Sequence, residues 1–359
     1  MIFKEEQAMG EKVFMQGNEA MAESAIRAGC KLFFGYPITP SSEVPEYYAA
    51  AMHDRPEENI MFIQAETEVA AFNMVAGAVA TGHRAMTATS GPGFDLGQEA
   101  MSYMSAGDIP SVIVEVQRPG PGDGEILAAQ GDYFSAVKGG GHGDYNNLVL
   151  APYSVQEMCE LMQECFDLAQ KYSNPVILLT DATLAKMRES VVLPDYKEIP
   201  DPKDVVNALT GRKDREAHKV VTCGDGAVQW EEFNDKLQEK YKKIAENEVR
   251  YDERNTDDAD IILVAYGSVA RVCESAMKMA REQGIKVGMI RPISLWPFPN
   301  KAFEGKKNKK YLVVELSAGQ MVQDVKLAVD DKKDVFFFGK LGGTTPSPKN
   351  VLAEIIKLV

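Results

Sequence analysis

Apolar stretches of strand length alternate with segments of helical periodicity over the first 190 residues of the chain. Six stretches fit buried strands: KLFFG, IMFIQ, RAMTATS, SVIVEVQ, LVLAP and PVILLTD. Their hydrophobicity is continuous rather than alternating, which indicates burial on both faces and therefore a mostly parallel sheet with helices outside it. The pattern predicts a doubly wound α/β domain over residues 1–190.

The alternation stops near residue 191 and resumes near residue 258. Between these points, LPDYKEIPDPKD precedes the charged stretch EEFNDKLQEKYKKIAENEVRYDERN, which is helical in pattern and polar almost all round. Such a helix typically bridges domains or lies across a partner, so residues 191–257 are predicted to be a linker with a charged helix. Strand patterns then return in IILVAYGS, IKVGMIRP, YLVVEL and VFFFG. They predict a second, smaller α/β domain over residues 258–359.

The charge balance limits the possible partners. The chain has 359 residues, with 39 Lys and Arg against 53 Asp and Glu and a net charge of −14. This charge repels nucleic acid and anionic membranes, so we expect the chain to bind neither. No apolar stretch reaches the roughly 18 to 20 residues that cross a bilayer, and the first residues lack the features of a signal peptide. We therefore expect a cytoplasmic protein.

The cysteines and histidines show no pattern of a metal site. Five cysteines, an odd number, are scattered without a C-x-x-C pair, which predicts buried free thiols rather than disulfides, zinc or an iron–sulfur cluster. The four histidines also lack the spacing of metal ligands, so we expect no metal bound by this chain alone.

A stiff loop follows the first strand of the predicted sheet, with Pro37 and Pro40 enclosing Ile38 and Thr39. Ligands of parallel sheets gather outside the carboxyl ends of the strands, where this loop lies. One interpretation makes Thr39 the N-cap of the next helix with Pro40 at its first position, which leaves Pro37 unexplained. In the other, the prolines restrict the backbone so that the Thr39 hydroxyl binds a ligand with little entropy left to lose. The spacing alone leaves both open.

Two glutamates, Glu66 and Glu68, open an apolar helix made mostly of small residues. Acidic residues in a first turn complement the helix dipole and need no other role. That explanation is weaker for Glu68, because apolar neighbours such as Phe72 and Val75 indicate a buried turn where an ionised carboxylate requires a partner. A ligand nitrogen would be such a partner.

The segment TATSGPGFDLGQEAM places Gly91, Gly93 and Gly97 between a strand and a helix, so a dinucleotide-binding loop has to be considered. Glu115 lies at about the right distance along the chain to bind a ribose hydroxyl. The spacing is G-x-G-x-x-x-G with a proline in the second place, and Glu115 lies inside a strand rather than at its end. Both details disfavour a nicotinamide dinucleotide.

Arg118 ends a buried strand, and a turn rich in proline and glycine follows it. Its guanidinium suits a carboxylate or a phosphate, although a salt bridge to a neighbouring loop is the commoner arrangement. Farther on, the glycines at 139–141 precede His142. The glycines form either a hinge or a tight passage between packed elements, and His142 is a weak candidate for an acid or base.

Together these segments resemble the α subunit of the 2-oxoacid:ferredoxin oxidoreductases, and most of all the subunit of the branched-chain (2-ketoisovalerate) enzymes. The resemblance rests on GNEAMAESAIRAGCKLFFGYPITPSSEVPEY, QAETEVAAFNMVAGA, TSGPGFDL, VQRPGPGDG and KGGGHGDY. It extends to GQMVQDVKLAV near the end, and YPITP is its most specific part. It implies that residues 1–190 form the pyrimidine-binding domain of a thiamine diphosphate enzyme and that residues 258–359 resemble the transketolase C-terminal domain.

The resemblance also implies roles for individual residues. In thiamine enzymes, a glutamate that opens such a helix, with a glycine nine positions later, bonds N1′ of the aminopyrimidine. Gly77 stands nine positions after Glu68, whereas Glu66 has no such glycine. Thr39 and Arg118 would then bind the carboxylate or keto oxygen of the substrate. The residues expected at the cofactor are Pro37, Ile38, Thr39, Glu68 and Gly91.

The resemblance further implies that the active site is shared with other chains. GDG occurs at 122–124 and 224–226, but both are interpreted as ordinary turns rather than as a diphosphate–Mg²⁺ site. We expect a β subunit that binds the diphosphate and Mg²⁺, a γ subunit and a ferredoxin-like δ subunit, with the iron–sulfur clusters on partner chains. The chain alone should be inactive.

The implied reaction is the oxidative decarboxylation of a 2-oxoacid to acyl-coenzyme A, with electrons passed to ferredoxin. Branched-chain 2-oxoacids, aryl pyruvates and 2-oxoglutarate stay open as substrates, in that order of preference. PGPGDGE after Arg118 departs from relatives that carry Ser or Thr there, so the contact of this loop with substrate or coenzyme A stays open. The alternatives are a non-catalytic subunit of such a complex and a dinucleotide-dependent dehydrogenase.

Overall fold

The computed structural model describes residues 12–205, 207–212, 215–224 and 226–359. Its strands are β1 (Lys12–Gln16), β2 (Leu32–Gly35), β3 (Met61–Gln64), β4 (Ala85–Thr89), β5 (Val112–Gln117), β6 (Leu148–Leu150), β7 (Val176–Asp181), β8 (Arg188–Val192), β9 (Tyr251–Arg254), β10 (Ile261–Val264), β11 (Val287–Pro292), β12 (Ser294–Trp296), β13 (Lys310–Glu315) and β14 (Val335–Gly339). Its α-helices are α1 (Gly17–Arg27), α2 (Glu43–Asp54), α3 (Glu68–Ala80), α4 (Pro92–Leu96), α5 (Gln98–Ala106), α6 (Tyr133–Val137), α7 (Val155–Tyr172), α8 (Ala182–Lys186), α9 (Ala227–Asn247), α10 (Gly267–Glu282), α11 (Met321–Ala328) and α12 (Pro348–Ile356).

A seven-stranded sheet has the order β12-β6-β7-β5-β4-β2-β3. Its strands from β6 to β3 pair in parallel, and β12 adds an antiparallel edge. The central strands β4, β5 and β7 are buried along their whole length, as their continuous hydrophobicity predicts. Helices α1, α2 and α7 pack on one face, and α3 and α5 pack on the other. The predicted doubly wound parallel sheet is confirmed.

The helix α7 shows how the sequence sets these elements. Ser154 caps it, because its hydroxyl oxygen accepts a hydrogen bond from the backbone N–H of Glu157 over 3.1 Å. Met158, Met162 and Phe166 recur at helical spacing and are buried in the core beneath α1. Cys159 and Cys165 are buried with them. The expectation of buried thiols fails for Cys223, which is exposed because it lies in an irregular segment before α9.

The predicted charged helix is α9, and it is not polar all round. Leu237, Tyr241 and Ile244 form a buried stripe that joins the core of the first sheet. The expectation that this helix avoids a core is therefore wrong, because three apolar side chains on one face are enough to bury that face. The predicted helical stretch also runs too far, since α9 ends at Asn247 and YDER forms β9.

A five-stranded sheet has the order β14-β13-β10-β11-β9, with β9 as an antiparallel edge. Helices α10 and α12 pack on one face and α11 packs on the other. The predicted domain limits stay a prediction. Strand β9 begins inside the predicted linker, and β12, from the predicted second domain, pairs with β6 of the first sheet.

Buried polar contacts join the two sheet units. The side chain of Gln130 donates to the carbonyl of Tyr266 over 2.9 Å and accepts from the N–H of Leu316 over 3.0 Å. Arg291 forms a two-bond ion pair with Glu157, with both N–O distances at 2.9 Å. The Gln130 bonds fix the segment after β5 against the second unit, and the ion pair fixes α7 against it. None of the helices formed by the described residues is long and apolar enough to cross a membrane.

Candidate active site

Most of the predicted site residues lie at one edge of the first sheet. Strands β5, β4, β2 and β3 are consecutive neighbours and parallel, so their carboxyl ends share that edge. Thr39 lies in the loop after β2, Glu68 follows β3, Gly91 follows β4 and Arg118 follows β5. The topology therefore brings together four side chains and turns that are far apart along the chain.

The stiff loop is fixed through two of its backbone carbonyls. Nη1 of Arg118 donates to the carbonyl of Thr39 over 2.8 Å, and Nδ2 of Asn18 donates to the carbonyl of Pro40 over 2.7 Å. Helix α2 has Ser42 as its N-cap, so Thr39 is not the cap. The Thr39 hydroxyl is half-buried and lies 3.3 Å from the Ser42 hydroxyl. The backbone of the loop is thus held while the Thr39 hydroxyl keeps hydrogen-bonding capacity for a ligand.

Glu68 is the first residue of α3 and is buried, with 7% of its surface exposed, whereas Glu66 is exposed. Its side chain packs against the turn after β4, where a methyl group added to Gly93 would lie 2.6 Å from Oε1 of Glu68. Within the part of the chain that the structure describes, the Glu68 carboxylate has no hydrogen bond or ion pair. A mostly buried glutamate whose carboxylate has no partner among the described residues is the arrangement of a ligand-binding group rather than of a helix cap.

The turn after β4 lies against both Glu68 and Arg118. The N–H of Gly91 donates to Oε1 of Glu115 over 2.8 Å, and the backbone of Gly91 has a φ of 47°. A methyl group on Gly93 would lie 2.3 Å from Oγ1 of Thr89, so only glycine fits there. Glu115 is fully buried inside β5. It cannot reach a ribose hydroxyl, so the dinucleotide interpretation loses the acidic residue that it requires.

Arg118 is buried, and two of its three nitrogens have partners in the described chain. Nη1 bonds Thr39, and Nη2 bonds Oδ1 of Asp123 over 2.5 Å, while Nε is buried without a hydrogen-bond partner. The Asp123 side chain is 96% exposed. The salt bridge to a neighbouring loop is therefore present, but its acidic partner is an exposed group that a ligand carboxylate can replace.

Two carboxyl groups interact beneath this edge of the sheet. Oε2 of Glu115 and Oδ2 of Asp132 are both buried without a hydrogen-bond partner among the described residues, and each carboxyl group acts on the pKa of the other. Burial and the charge of Asp132 raise the pKa of Glu115 well above its ordinary value. Burial and the charge of Asp95 raise the pKa of Asp132 to about 6. The pair therefore binds one proton at neutral pH.

Known protein families match nearly the whole chain. Residues 23–254 match the pyruvate flavodoxin/ferredoxin oxidoreductases, thiamine diphosphate-binding, and residues 259–351 match core domain II of pyruvate:ferredoxin oxidoreductase. The chain belongs to the 2-oxoacid:ferredoxin oxidoreductase family. The predicted family is confirmed, and it is a family that binds thiamine diphosphate.

Two similar proteins of this family come from archaea. The ketoisovalerate oxidoreductase subunit VorB of Methanothermobacter thermautotrophicus is 46% identical, over 95% of this chain and 96% of the relative. The 2-oxoglutarate synthase subunit KorA of Archaeoglobus fulgidus is 41% identical, over 92% of this chain and 96% of the relative. The similarity covers both sheet units in each case.

Solved structures share the fold. The 2-oxoglutarate:ferredoxin oxidoreductase of Magnetococcus marinus, with 2-oxoglutarate, coenzyme A and succinyl-CoA bound, aligns with a TM-score of 0.84 and 26% identity. This chain is covered to 97%, but it spans only 65% of that longer chain. A split-gene transketolase in an inactive β4 tetramer aligns with a TM-score of 0.57 at 14% identity, which shows the fold alone.

The site fits the pyrimidine end of the cofactor that the family binds. In the part of the chain that the structure describes, the Glu68 carboxylate has no partner, and Oγ1 of Thr89 beside it is buried without a hydrogen-bond partner. A nitrogen-containing aromatic ring would satisfy these polar groups inside apolar surroundings. Pro37 is exposed and Ile38 is half-buried in the loop after β2, and their contact with the cofactor stays a prediction.

The glycine run at 139–141 and the two GDG segments have different structural roles. A methyl group on Gly141 would lie 2.3 Å from the carbonyl of Gln98, which favours the tight passage over the hinge, and His142 is exposed. The first GDG forms a turn, as predicted, but its Asp123 pairs with Arg118, so it is more than an ordinary turn. The second GDG includes residue 225, which lies outside the described residues.

Sequence patterns missed several residues of the site. Asn18 fixes the stiff loop from the start of α1, and Thr89 ends β4 beside Glu68. Asp132 lies in the segment before α6 and interacts with Glu115. Each is a single polar residue with no motif around it, so only its contacts reveal it. A buried glutamate inside an otherwise apolar strand was the one available signal, because Glu115 requires a nearby partner.

Proposed function

We propose that this chain is the α subunit of an enzyme that converts a branched-chain 2-oxoacid to its acyl-coenzyme A and passes the electrons to ferredoxin. The observation that carries this proposal is that Glu68, beside Gly93, is mostly buried and that its carboxylate has no partner among the described residues. The identity to the two ketoisovalerate subunits, 46%, exceeds the 35% to 41% to the 2-oxoglutarate synthase subunits, which supports the branched-chain substrate.

Three residues of this chain would bind different parts of the cofactor and the substrate. Glu68 would bond N1′ of the aminopyrimidine and share a proton with that nitrogen, as a carboxyl group in general acid–base catalysis does. Thiamine diphosphate, when bound, supplies the carbon nucleophile and the electron sink that decarboxylation requires. Arg118 would bind the substrate carboxylate through Nε and Nη2 after Asp123 is displaced, while Nη1 keeps Thr39 in place. The Thr39 hydroxyl would donate to the keto oxygen.

We infer that other chains complete the active site. A β subunit would hold the diphosphate and Mg²⁺, a γ subunit would complete the core, and a ferredoxin-like δ subunit would carry iron–sulfur clusters. The names of the two similar proteins, which describe them as subunits, support assembly with other chains. The cytoplasmic location expected from the sequence remains part of this proposal.

Coexpression with the neighbouring reading frames tests the function. The purified complex should reduce a viologen dye only when a 2-oxoacid and coenzyme A are both present, and the isolated chain should not. A panel of 2-oxoisovalerate, phenylpyruvate and 2-oxoglutarate should rank the branched-chain acid first in kcat/KM. A complex that assembles but shows no such reduction with any of the three acids contradicts the proposal. Saturable binding of a nicotinamide cofactor would favour the dehydrogenase instead.

A further inference from the structure

Glu115 lies at the centre of β5, on the face that carries Ile113, and none of its surface is exposed. An acidic residue at such a place would destabilise the fold unless its polar atoms were satisfied. Oε1 accepts the N–H of Gly91 over 2.8 Å, while Oε2 is buried without a hydrogen-bond partner among the described residues and Asp132 acts on the pKa of the group. One oxygen of Glu115 therefore holds the turn after β4, and the other is available to donate to Asp132 when it is protonated.

That turn separates two residues of the proposed active site. A methyl group on Gly91 would lie 3.6 Å from Cγ of Arg118, and a methyl group on Gly93 would lie 2.6 Å from Oε1 of Glu68. A shift of the turn would therefore move the surface against which both Glu68 and Arg118 pack. The bond from Gly91 to Glu115 fixes the turn from below.

The charges around the carboxyl pair show where its proton resides. The groups that act on Glu115 and Asp132 are the carboxylate of Asp95 and the guanidinium of Arg118. The charge of Asp132 acts on the buried Glu115, and two ionised carboxylates would repel each other strongly there, so one of them keeps its proton. Asp132 is half-buried and Glu115 fully buried, so the negative charge is less costly on Asp132.

We propose that Glu115 is a positioning residue of the active site, whose protonated carboxyl group donates to Asp132, accepts from Gly91 and so fixes the Gly91–Gly93 turn between Glu68 and Arg118. The proposal rests on the function proposed above. It assigns no contact with substrate or cofactor to Glu115. Its effect on turnover passes through the turn.

Turnover of the coexpressed complex tests the positioning role. Glu115→Leu leaves the Gly91 N–H without an acceptor and should lower kcat by about 10- to 100-fold, the effect of a small displacement of catalytic groups. Glu115→Gln keeps an acceptor for Gly91 and a donor for Asp132, and it should restore most of this loss. Because the amide cannot ionise, its turnover should also persist at alkaline pH where that of the native complex falls. Equal losses in both variants would overturn the proposal.

Infrared spectroscopy of the isolated full chain tests the proton without any activity. The difference spectrum of the native chain minus Glu115→Gln, near neutral pH, should contain the carbonyl band of a protonated carboxylic acid. Absence of that band overturns the proposal even if the complex is active. A native complex without 2-oxoacid-dependent activity contradicts the proposed function instead, while the infrared result still decides whether Glu115 is protonated. The second test also applies if Glu115→Leu does not fold.

Discussion

Nη1 of Arg118 donates a hydrogen bond to the backbone carbonyl of Thr39 over 2.8 Å, so the end of β5 fixes the loop that follows β2. The same guanidinium bonds Asp123 through Nη2. One planar group thus orients a loop through one nitrogen and binds an exposed carboxylate through another. A lysine could not do both, because its single ammonium group lacks the fork geometry.

Arg118→Lys should raise KM for the 2-oxoacid by about 10-fold and lower kcat by a similar factor, which corresponds to the loss of a charge-assisted bidentate contact. Steady-state kinetics of the coexpressed complex measures both constants. Arg281→Lys is the matched control, because Arg281 bonds Asp258 at the surface of the second sheet unit. If Arg118→Lys and Arg281→Lys behave alike, Arg118 does not bind substrate.

Asp123 should compete with the substrate for Arg118. Asp123→Asn removes the competing charge, and because water screens the exposed Asp123, an ion-pair contribution of about 0.2–1 kcal/mol is lost and KM for the 2-oxoacid should fall by up to about 5-fold. Glu125→Gln removes the same charge from the same loop without contact to Arg118, since the Glu125 side chain accepts from the N–H of Ile126. An equal fall in KM in both variants would indicate a general charge effect rather than competition.

Glu68→Gln should lower the turnover of the assembled complex by about 100-fold or more, because the amide cannot share a proton with a pyrimidine nitrogen. Gel filtration should show an unchanged assembly, since the substitution keeps the shape of the side chain. Glu66→Gln, two residues earlier and exposed, should leave turnover within about 2-fold. Full turnover of Glu68→Gln would favour a non-catalytic subunit.

Sequence patterns predict best those features that depend on residues close together in the chain. The strands around Phe33 and Val114 are apolar on both faces. This pattern is typical of a parallel sheet between two layers of helices, so the sheet could be predicted from it. Glu68 was found by the contrast between a charge and its apolar helix. The resemblance then supplied the pyrimidine partner, which the spacing of residues alone left open.

The features that the sequence missed depend on contacts between distant segments. Tyr241 and Ile244 are among the few apolar residues of a charged helix, so the sequence does not indicate that they are buried. Their packing against the first sheet unit shows that they belong to its core. Strand β12 is three residues long, and its pairing with β6 is set by the second sheet unit that carries it. Asp132 belongs to no sequence motif. Its role depends on its interaction with Glu115, which the sequence does not indicate.

Two glycines near Glu68 should respond in opposite ways to the same substitution. A methyl group on Gly93 would meet Thr89 and Glu68 at 2.3 and 2.6 Å, whereas one on Gly77 meets nothing within 4 Å. Gly93→Ala should lower the free energy of unfolding of the isolated chain by about 1–3 kcal/mol, and Gly77→Ala should raise it by about 0.5–1 kcal/mol. Urea denaturation measures both values. An unchanged or higher free energy of unfolding for Gly93→Ala would show that the turn tolerates a side chain.

The carboxyl pair should make stability depend on pH in a defined direction. Burial and the charge of Asp95 raise the pKa of Asp132 from 3.8 to about 6, so the folded chain binds more protons than the unfolded chain between these values. The contribution of Asp132 to the free energy of unfolding should therefore fall as pH rises through this window, by at most about 1.4 kcal/mol per pH unit. Asp132→Asn cannot ionise, and its amide oxygen still accepts from Glu115. Its stability relative to the native chain should rise across the same window, as measured by urea denaturation, and parallel curves for the two proteins would contradict a shared proton.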